Sequence, residues 1–253
     1  MCLILFAYKR HPKYKLIVAA NRDEFYVRPT EQAKFWEDHP SILAGKDKEA
    51  GGTWMGVAKS GKVGMLTNYR DPHNIISSAP SRGHLVSDFL SGPENAMEYL
   101  KSIRERAKEY NGFNLICGSA DELNYYGNYQ QEIQPIKPGI YGLSNALLDT
   151  SWPKVVRGKH SLEKASQAEQ IDVELLFDIL SDDSKANELE LPKTGVSLEQ
   201  EKMLSPIFIK SPGYGTRCST VLLVDSKDQV YFTERTYDLL QFTHRTVHHQ
   251  FGV

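Results

Sequence analysis

The fold is decided at the start of the chain, where residues 1–25 are MCLILFAYKRHPKYKLIVAANRDEF. Two β-rich apolar runs, 2–8 and 15–20, flank the turn-like segment 11–14 and predict an antiparallel pair of strands. Both runs are apolar at nearly every position, which predicts burial on both faces of the sheet. We therefore expect a fold built around a covered sheet that begins at the N-terminus.

A polar, turn-rich segment at 21–52 follows this first pair of strands. After it, pairs of predicted strands alternate along the chain with pairs of predicted helices. The predicted strands are 2–8, 15–20, 53–58, 62–68, 113–118, 122–126, 219–225 and 229–234, with 139–148 as strand and then loop. The predicted helices are 81–90, 94–110, 154–168 and 172–181. This order disfavours a doubly wound parallel sheet and favours antiparallel sheets covered by helical pairs.

The chain has no internal repeat and no linker between self-sufficient halves, so we expect one domain over residues 1–253. Residues 182–216 are polar and contain three prolines, which predicts a long loop excursion. Such a loop is uncommon in a compact domain unless it is functional, and a lid over the site is one role for it. The residues after 234 are expected to form a polar, histidine-rich tail.

Composition narrows the class of protein. Of the 253 residues, 40% are hydrophobic and 25% are charged, with a net charge of −2. No apolar run approaches the ~20 residues of a membrane-spanning helix, and the charge is too balanced for a nucleic-acid-binding protein. Three cysteines without a close pair disfavour a disulfide framework and a cysteine zinc site. Without a signal peptide, these features predict a cytoplasmic protein.

Cys2 is the first candidate for chemistry. If Met1 is removed, Cys2 carries both a thiol and a free α-amine, whose ordinary pKa of about 7.7–8.0 makes it a base at neutral pH. Nucleophile and base then belong to one residue. The alternative is a small apolar residue that opens a buried strand.

Four polar residues, Asn21-Arg22-Asp23-Glu24, follow the second apolar run and are candidates for lining a site. Asp23 could hold an α-amine, and Arg22 could stabilise a thiolate or a bound carboxylate. The alternative is a charged turn with an internal ion pair. Trp54, in the GGTW segment 51–54, could lie beside a bound ligand, or it could be a core residue next to a tight turn.

Further candidates lie near other apolar runs, with Asn68 and Asn145 after such runs and Arg217 before the C-terminal hairpin. Asn68 and Asn145 could donate amide hydrogens to an oxyanion, or they could form Asx turns. Arg217 could bind an anion, or it could form a surface ion pair. His244 and His248 have metal-ligand spacing, but no carboxylate or thiol lies near them in sequence, so we expect no metal site.

Seven segments, taken together, resemble the NRDE family, which contains the eukaryotic transport-and-Golgi-organisation 2 homologues. These segments span the chain in order and are MCLILFA, AANRDEF, GGTW, LTNYRDP, YNGFNL, YGLSNALLDTSWPKV and TRCSTVLLVD. The resemblance implies an N-terminal nucleophile hydrolase-like fold, an α+β four-layer αββα sandwich of two antiparallel sheets covered by helices. The element order given above agrees with that fold.

The resemblance also implies roles for individual residues. The distantly similar penicillin V acylase and bile salt hydrolase group makes Cys2 the nucleophile and Asp23 the residue that orients its amine. Asn68 and Asn145 match oxyanion and substrate-binding positions, and Arg217 matches a late arginine. In that group an arginine precedes the aspartate by a few residues, whereas here Arg22 abuts Asp23. Adjacent strand residues point to opposite faces, so both face Cys2 only if the strand has ended.

Two functions follow from this resemblance. The first is hydrolysis of a small N-acyl amide without a required cofactor, with Asn21, Arg22, Glu24 and Trp54 binding the ligand. The second is a carrier that keeps the fold without the reaction and binds haem or an acyl-CoA, since eukaryotic relatives are linked to haem trafficking and to lipid metabolism.

Overall fold

A computed structural model describes residues 2–238 and 243–253, which form two antiparallel sheets with helices on their outer faces. The first sheet has the order β10-β1-β2-β12-β13-β14, with β11 paired to β12. Its strands are β1 (Cys2–Tyr8), β2 (Tyr14–Phe25), β10 (Gly139–Leu143), β11 (Lys210–Ser211), β12 (Tyr214–Asp225), β13 (Gln229–Asp238) and β14 (Thr243–Gly252).

The second sheet has the order β3-β4-β5-β6-β7-β8-β9. Its strands are β3 (Thr30–Phe35), β4 (Ile42–Asp47), β5 (Met55–Ala58), β6 (Val63–Asn68), β7 (Phe113–Gly118), β8 (Leu123–Gly127) and β9 (Ile133–Pro135). The helices are α1 (His84–Ser91), α2 (Ala96–Glu105), α3 (Pro153–Ala165), α4 (Val173–Leu180) and α5 (Leu198–Met203).

The side-chain alternation of β1 creates two of the three apolar layers. Ile4 and Phe6 pack between the two sheets, whereas Leu3 and Leu5 pack against α3 and α4 on the outer face. A third cluster joins the outer face of the second sheet to α1 and α2. The fold is therefore a four-layer αββα sandwich, as the resemblance implied. It explains why β1 and residues 16–20 of β2 are apolar at every position, since both faces of these strands are covered.

The second strand is longer than predicted, and this matters for the site. We expected a strand over 15–20 followed by polar residues, but β2 continues to Phe25 and so includes Asn21 through Glu24. Cys2 pairs with Arg22 in the register of β1 and β2, while β12 pairs with β2 as far as Phe25. From Asp23 to Phe25, β2 is therefore paired with β12 on one side, while on its other side the pairing with β1 has stopped at Cys2.

Polar strands account for the other errors of the sequence-based assignment. The segment 21–52 contains β3 and β4, and the expected polar tail forms β14, which pairs with β13 along its length. In the excursion 182–216, the structure forms α5, β11 and the start of β12. β3, β11, β14 and α5 lie at sheet edges or on the surface, where few side chains are buried and the apolar pattern is weak. β4 is an interior strand with four buried residues, and its short apolar run was missed inside the polar segment.

Candidate functional site

A cavity of about 430 Å³ opens where β1 begins. Its lining comes from the N-terminal end of β1, the polar end of β2, the second sheet and the loop that precedes α1. It includes six of the residues selected from the sequence, which are Cys2, Arg22, Asp23, Glu24, Trp54 and Asn68. The structure thus brings together residues that are up to 66 positions apart in the chain.

Cys2 is the first residue of β1 and is 7% exposed. Burial raises the pKa of its thiol above the ordinary value. A thiol in this environment is protonated at neutral pH, and it becomes a nucleophile only when a base accepts its proton. The backbone carbonyl of Cys2 accepts a hydrogen bond from Ser144 Oγ at 3.3 Å, which ties β1 to the end of β10.

Asp23 is buried beside Cys2 and is held by β12. Thr216 Oγ1 donates a hydrogen bond of 2.7 Å to Asp23 Oδ1, and Tyr214 Oη donates one of 3.2 Å to its backbone carbonyl. Burial raises the pKa of Asp23, an effect that the Lys154 ammonium group opposes. The pairing of β12 with β2 shifts between Thr216 and Cys218, so a bulge at this point sets the position of Thr216.

Arg22 and Asp23 lie on opposite faces of β2, as alternation requires, yet both line the cavity. Arg22 contacts the second sheet, whereas Asp23 contacts Thr216 of the first sheet. Both reach the cavity because β1 begins at Cys2 and does not pair with β2 beyond Arg22, not because β2 has ended. The end of β1 therefore opens a space in which consecutive residues of β2 border the same cavity.

Arg22 belongs to an ion-pair network with Arg28, Glu24 and Asp47. Asp47 Oδ2 lies 3.1 Å from Arg22 Nη2 and 2.6 Å from Arg28 Nε, and Glu24 Oε2 lies 3.7 Å from Arg22 Nη2. Burial of Asp47 opposes ionisation, but the hydrogen bond from Arg28 and the nearby cations hold its pKa below the ordinary value. The network fixes the Arg22 guanidinium near the cavity wall.

The two candidate oxyanion residues have different positions. Asn68 lines the cavity, whereas Asn145 is buried beside it and does not belong to the lining. Asn145 Nδ2 donates a hydrogen bond of 2.9 Å to the backbone carbonyl of Asn68, and Ser144 Oγ lies 3.2 Å from Asn145 Oδ1. Asn145 therefore positions the end of β6, where Asn68 is located.

Two predicted site residues have structural contacts away from the cavity. Asn21 is fully buried on the helix-facing side of β2, where its Nδ2 donates to the carbonyls of Leu180 and Ile207. Arg217 Nη1 donates to three backbone carbonyls between Phe25 and Arg28, at 2.9–3.0 Å. Neither residue lines the cavity, so their geometry supports a role in holding β2 and the following turn.

The sequence analysis missed several charged residues near Cys2. Arg28, Asp47 and Arg82 line the cavity, and Lys154 is buried behind Asp23. Burial lowers the pKa of Lys154 to about 8, and the Asp23 carboxylate opposes this effect. No local motif marks these residues, because each reaches the site from a different segment. Only Lys154 has a usable signal, since it follows Pro153, the first residue of α3, in the segment SWPKV.

The excursion is attached to this region by buried polar contacts. Arg70 Nη1 lies 2.7 Å from Glu201 Oε2 of α5, and both side chains are at most 8% exposed. Lys154 Nζ donates a hydrogen bond of 3.1 Å to the carbonyl of Leu204. These contacts fix α5 against the body of the fold, which is not the arrangement of a freely opening lid.

Histidine and cysteine side chains do not form a metal site in the described parts of the chain. Over residues 2–238 and 243–253, no three histidine, cysteine, aspartate or glutamate side chains are grouped as metal ligands. His248 Nδ1 lies 3.1 Å from Thr233 Oγ1, and His249 Nε2 lies 3.2 Å from the carbonyl of Ala33. The three cysteines are free and buried. No helix among the described residues is long and apolar enough to cross a membrane.

Comparisons of structure support the fold. The chain resembles a mutant of conjugated bile acid hydrolase from Clostridium perfringens, with a TM-score of 0.52 and 9% identity over 100% of this chain and 97% of that one. It also resembles the N-acylethanolamine-hydrolyzing acid amidase orthologue of Caenorhabditis elegans, with a TM-score of 0.52 and 10% identity over 88% and 92% of the chains. These N-terminal nucleophile hydrolase neighbours show the same fold.

Comparisons of sequence give the family. The family described as Transport and Golgi organisation 2 matches residues 1–239. The chain is 40% identical to Transport and Golgi organization 2 homologues of Mus musculus and Homo sapiens, over 93% of each chain. It is 30% identical to the Drosophila melanogaster protein over 93% of this chain and 92% of that one. The chain belongs to the Transport and Golgi organisation 2 family.

Proposed function

We propose that this protein is an amidohydrolase that uses Cys2 to cleave a small N-acyl amide. The observation that carries the proposal is the position of Cys2 at the start of β1, where it shares a cavity of about 430 Å³ with Asp23. The fold supports it, because the two structural neighbours are named as a bile acid hydrolase and an amidase. Their sequence identity to this chain is only 9–10%, so the proposed reaction is argued from the residues of this cavity and not from those neighbours.

The reaction begins after removal of Met1, which gives Cys2 a free α-amine. The amine accepts the thiol proton, and the thiolate attacks the amide carbonyl carbon to form a tetrahedral intermediate. The C–N bond then breaks, the protonated amine leaves, and a thioester joins the acyl group to Cys2. Water hydrolyses this thioester to a carboxylic acid and restores the thiol. Because burial raises the pKa of Cys2, the thiol needs a base to accept its proton, and the α-amine supplies it in this proposal.

Asp23 and Asn68 support this reaction without forming covalent bonds to the substrate. Asp23, fixed by Thr216, is placed to orient the α-amine and to stabilise it once it is protonated. Asn68 lines the cavity, and its amide is the candidate donor to the oxyanion. Loss of one such donor typically lowers kcat about 10²–10³-fold. Asn145 acts through Asn68, to whose backbone it is bonded.

The test compares Cys2→Ala with Cys117→Ala. Both cysteines are buried, but Cys117 lies in the apolar cluster under α1 and α2 and does not line the cavity. Amine release from a panel of N-acyl amides is measured for both variants and the wild type. We expect Cys2→Ala to abolish hydrolysis while remaining folded, and Cys117→Ala to retain it. A folded Cys2→Ala protein with full activity contradicts the proposal.

A carrier function is the second candidate, favoured by the arginines of the cavity. Arg22, Arg28 and Arg82 all line it, and guanidinium groups suit carboxylates and phosphates. Haem carries propionates and acyl-CoA carries phosphates, so either would supply the anion. Saturable binding in a haem absorbance titration or an acyl-CoA retention assay, without hydrolysis of any amide, would favour the carrier. Three free cysteines support a reducing compartment such as the cytoplasm for either function.

A further inference from the structure

Arg82 is held rigidly at the cavity by the backbone around it. Its Nη1 donates a hydrogen bond of 2.8 Å to the carbonyl of Gly112, just before β7. The next residue, Gly83, accepts a hydrogen bond of 3.2 Å from the Thr53 amide. A Cβ atom on Gly52 would lie 2.4 Å from the carbonyl carbon of Gly83, so these two backbones meet only because residue 52 is glycine. The backbone that carries Arg82 is therefore fixed in position, and the hydrogen bond to Gly112 orients its guanidinium.

The electrostatic surroundings of Arg82 differ from those of the other cavity arginines. Arg22 and Arg28 each lie within 4.0 Å of Glu24 and of Asp47. For Arg82, no carboxylate lies within this distance among residues 2–238 and 243–253. The hydrogen bond to Gly112 occupies one of the five N–H groups of the guanidinium. Arg82 thus borders the cavity without an ion pair of its own, although the Glu24 carboxylate on the same lining acts on it over a longer distance.

Burial makes that arrangement costly in the absence of a ligand. Arg82 is half-buried, and loss of solvation lowers the pKa of its guanidinium, an effect that Glu24 opposes and the Arg28 charge reinforces. An anionic group on a ligand would restore the missing partner and could form two parallel hydrogen bonds with the guanidinium. Fixed donors of this kind gain more from a ligand than mobile surface arginines do, since little side-chain freedom is lost on binding.

The remaining lining indicates the size and polarity of that ligand. Ligand cavities are usually lined by apolar side chains with a few polar groups, but charged and hydroxyl side chains predominate here. Trp54 and Leu66 supply the apolar contact. A volume of about 430 Å³ suits a small molecule. These features favour a compact, polar amide over one with a long acyl chain.

We propose that Arg82 binds a carboxylate of the substrate, so that the preferred substrates are small amides that carry a carboxylate, such as N-acyl amino acids. This inference rests on the proposed amidohydrolase function for the reaction, but the binding step is independent of it. Arg82 is then a specificity residue, and its loss affects carboxylate-bearing amides and leaves matched uncharged amides unchanged.

The experiment measures binding separately from turnover. Isothermal titration of the inactive Cys2→Ala protein uses N-phenylacetylglycine and N-phenylacetylethanolamine, which differ in a carboxylate against a hydroxymethyl group. Arg82→Gln removes the charge, Arg82→Lys retains it, and Arg104→Gln, on the exposed side of α2, is the control. The wild type is then assayed for hydrolysis of both amides.

We expect the Cys2→Ala protein to bind the glycine amide more tightly than the ethanolamine amide. Adding Arg82→Gln should weaken binding of the glycine amide about 10- to 100-fold, with partial recovery in Arg82→Lys and no change in Arg104→Gln. Equal affinity for the two amides, no binding of either, or an equal loss of both in folded Arg82→Gln overturns the inference. Binding that depends on Arg82 without hydrolysis by wild type contradicts the proposed reaction alone.

Discussion

The buried pair between Arg70 and Glu201 allows a quantitative prediction about the excursion. Glu201 accepts hydrogen bonds from Arg70 at 2.7 Å, from the Thr194 amide at 2.8 Å and from Thr194 Oγ1 at 2.6 Å. Arg70 also lies over the Trp152 ring, with its Cζ atom 4.9 Å from the centroid. Burial lowers the pKa of Arg70, and the Glu201 carboxylate opposes that effect. Each charge therefore has an oppositely charged group within 3 Å in a buried setting.

Removing one partner should therefore cost more than removing both. Arg70→Met or Glu201→Leu alone removes the closest opposite charge from a buried ionic group, and we expect a loss of about 3–5 kcal/mol in the free energy of unfolding. This corresponds to a fall in Tm of about 6–20 °C for a chain of this length. The double variant removes both charges, and we expect it to lie within about 2 kcal/mol of the wild type.

Urea unfolding followed by tryptophan fluorescence measures these values at neutral pH, with thermal unfolding as a second measure. Lys202→Met is the control, because it breaks an ion pair with Glu188 whose side chains are 44% and 56% exposed. Such a pair contributes less than about 1 kcal/mol. If either single substitution at the buried pair costs no more than this control, the pair does not fix the excursion.

Three further predictions concern pH, backbone packing and a structural arginine. Burial raises the pKa of Glu234 to about 6, so its contribution to stability is present below about pH 4.5 and is lost as pH rises through about 6. In urea unfolding, the free energy of unfolding of Glu234→Gln should rise by about 2 kcal/mol relative to the wild type as the pH goes from below 4.5 to above 6. A difference that stays constant over this range would contradict the raised pKa of Glu234 as its cause. Gly52→Ala forces a Cβ atom against Gly83 and should cost about 1–3 kcal/mol in thermal unfolding, and an unchanged Tm would refute the close approach. Arg217→Ala should lower stability by about 1–3 kcal/mol yet leave ligand affinity in isothermal titration unchanged, and a selective loss of affinity would place Arg217 in the site.

The centre of the first sheet could be predicted from the sequence because its residues carry unambiguous patterns. β1 and β2 are buried on both faces, so their apolar runs mark them directly. β3 and β14 could not be found in this way. In β3 only Ala33 is buried, and β14 is an edge strand with alternating exposed and half-buried positions. Pairing with a neighbouring strand stabilises both, and that pairing has no local signature.

The residues of the candidate site also divide into those with a local sequence signal and those without one. Cys2 and Asp23 were found because a residue at the N-terminus and a polar cluster after an apolar strand are visible in one segment. Arg82 was not selected, because it falls in the predicted helix 81–90 and no local motif marks it. Its significance depends on Gly112 and Cys2, which are distant in the chain and near in the fold. Contacts of this kind are set by topology.

The central claim is that Cys2 acts with its own α-amine as the base, and the intact mass of the purified native protein tests it most directly. Processing that exposes Cys2 lowers the mass by one methionine residue. We predict that most molecules lack Met1. Retention of Met1 in most molecules would contradict the claim, because the nitrogen of Cys2 would then be an amide nitrogen without useful basicity.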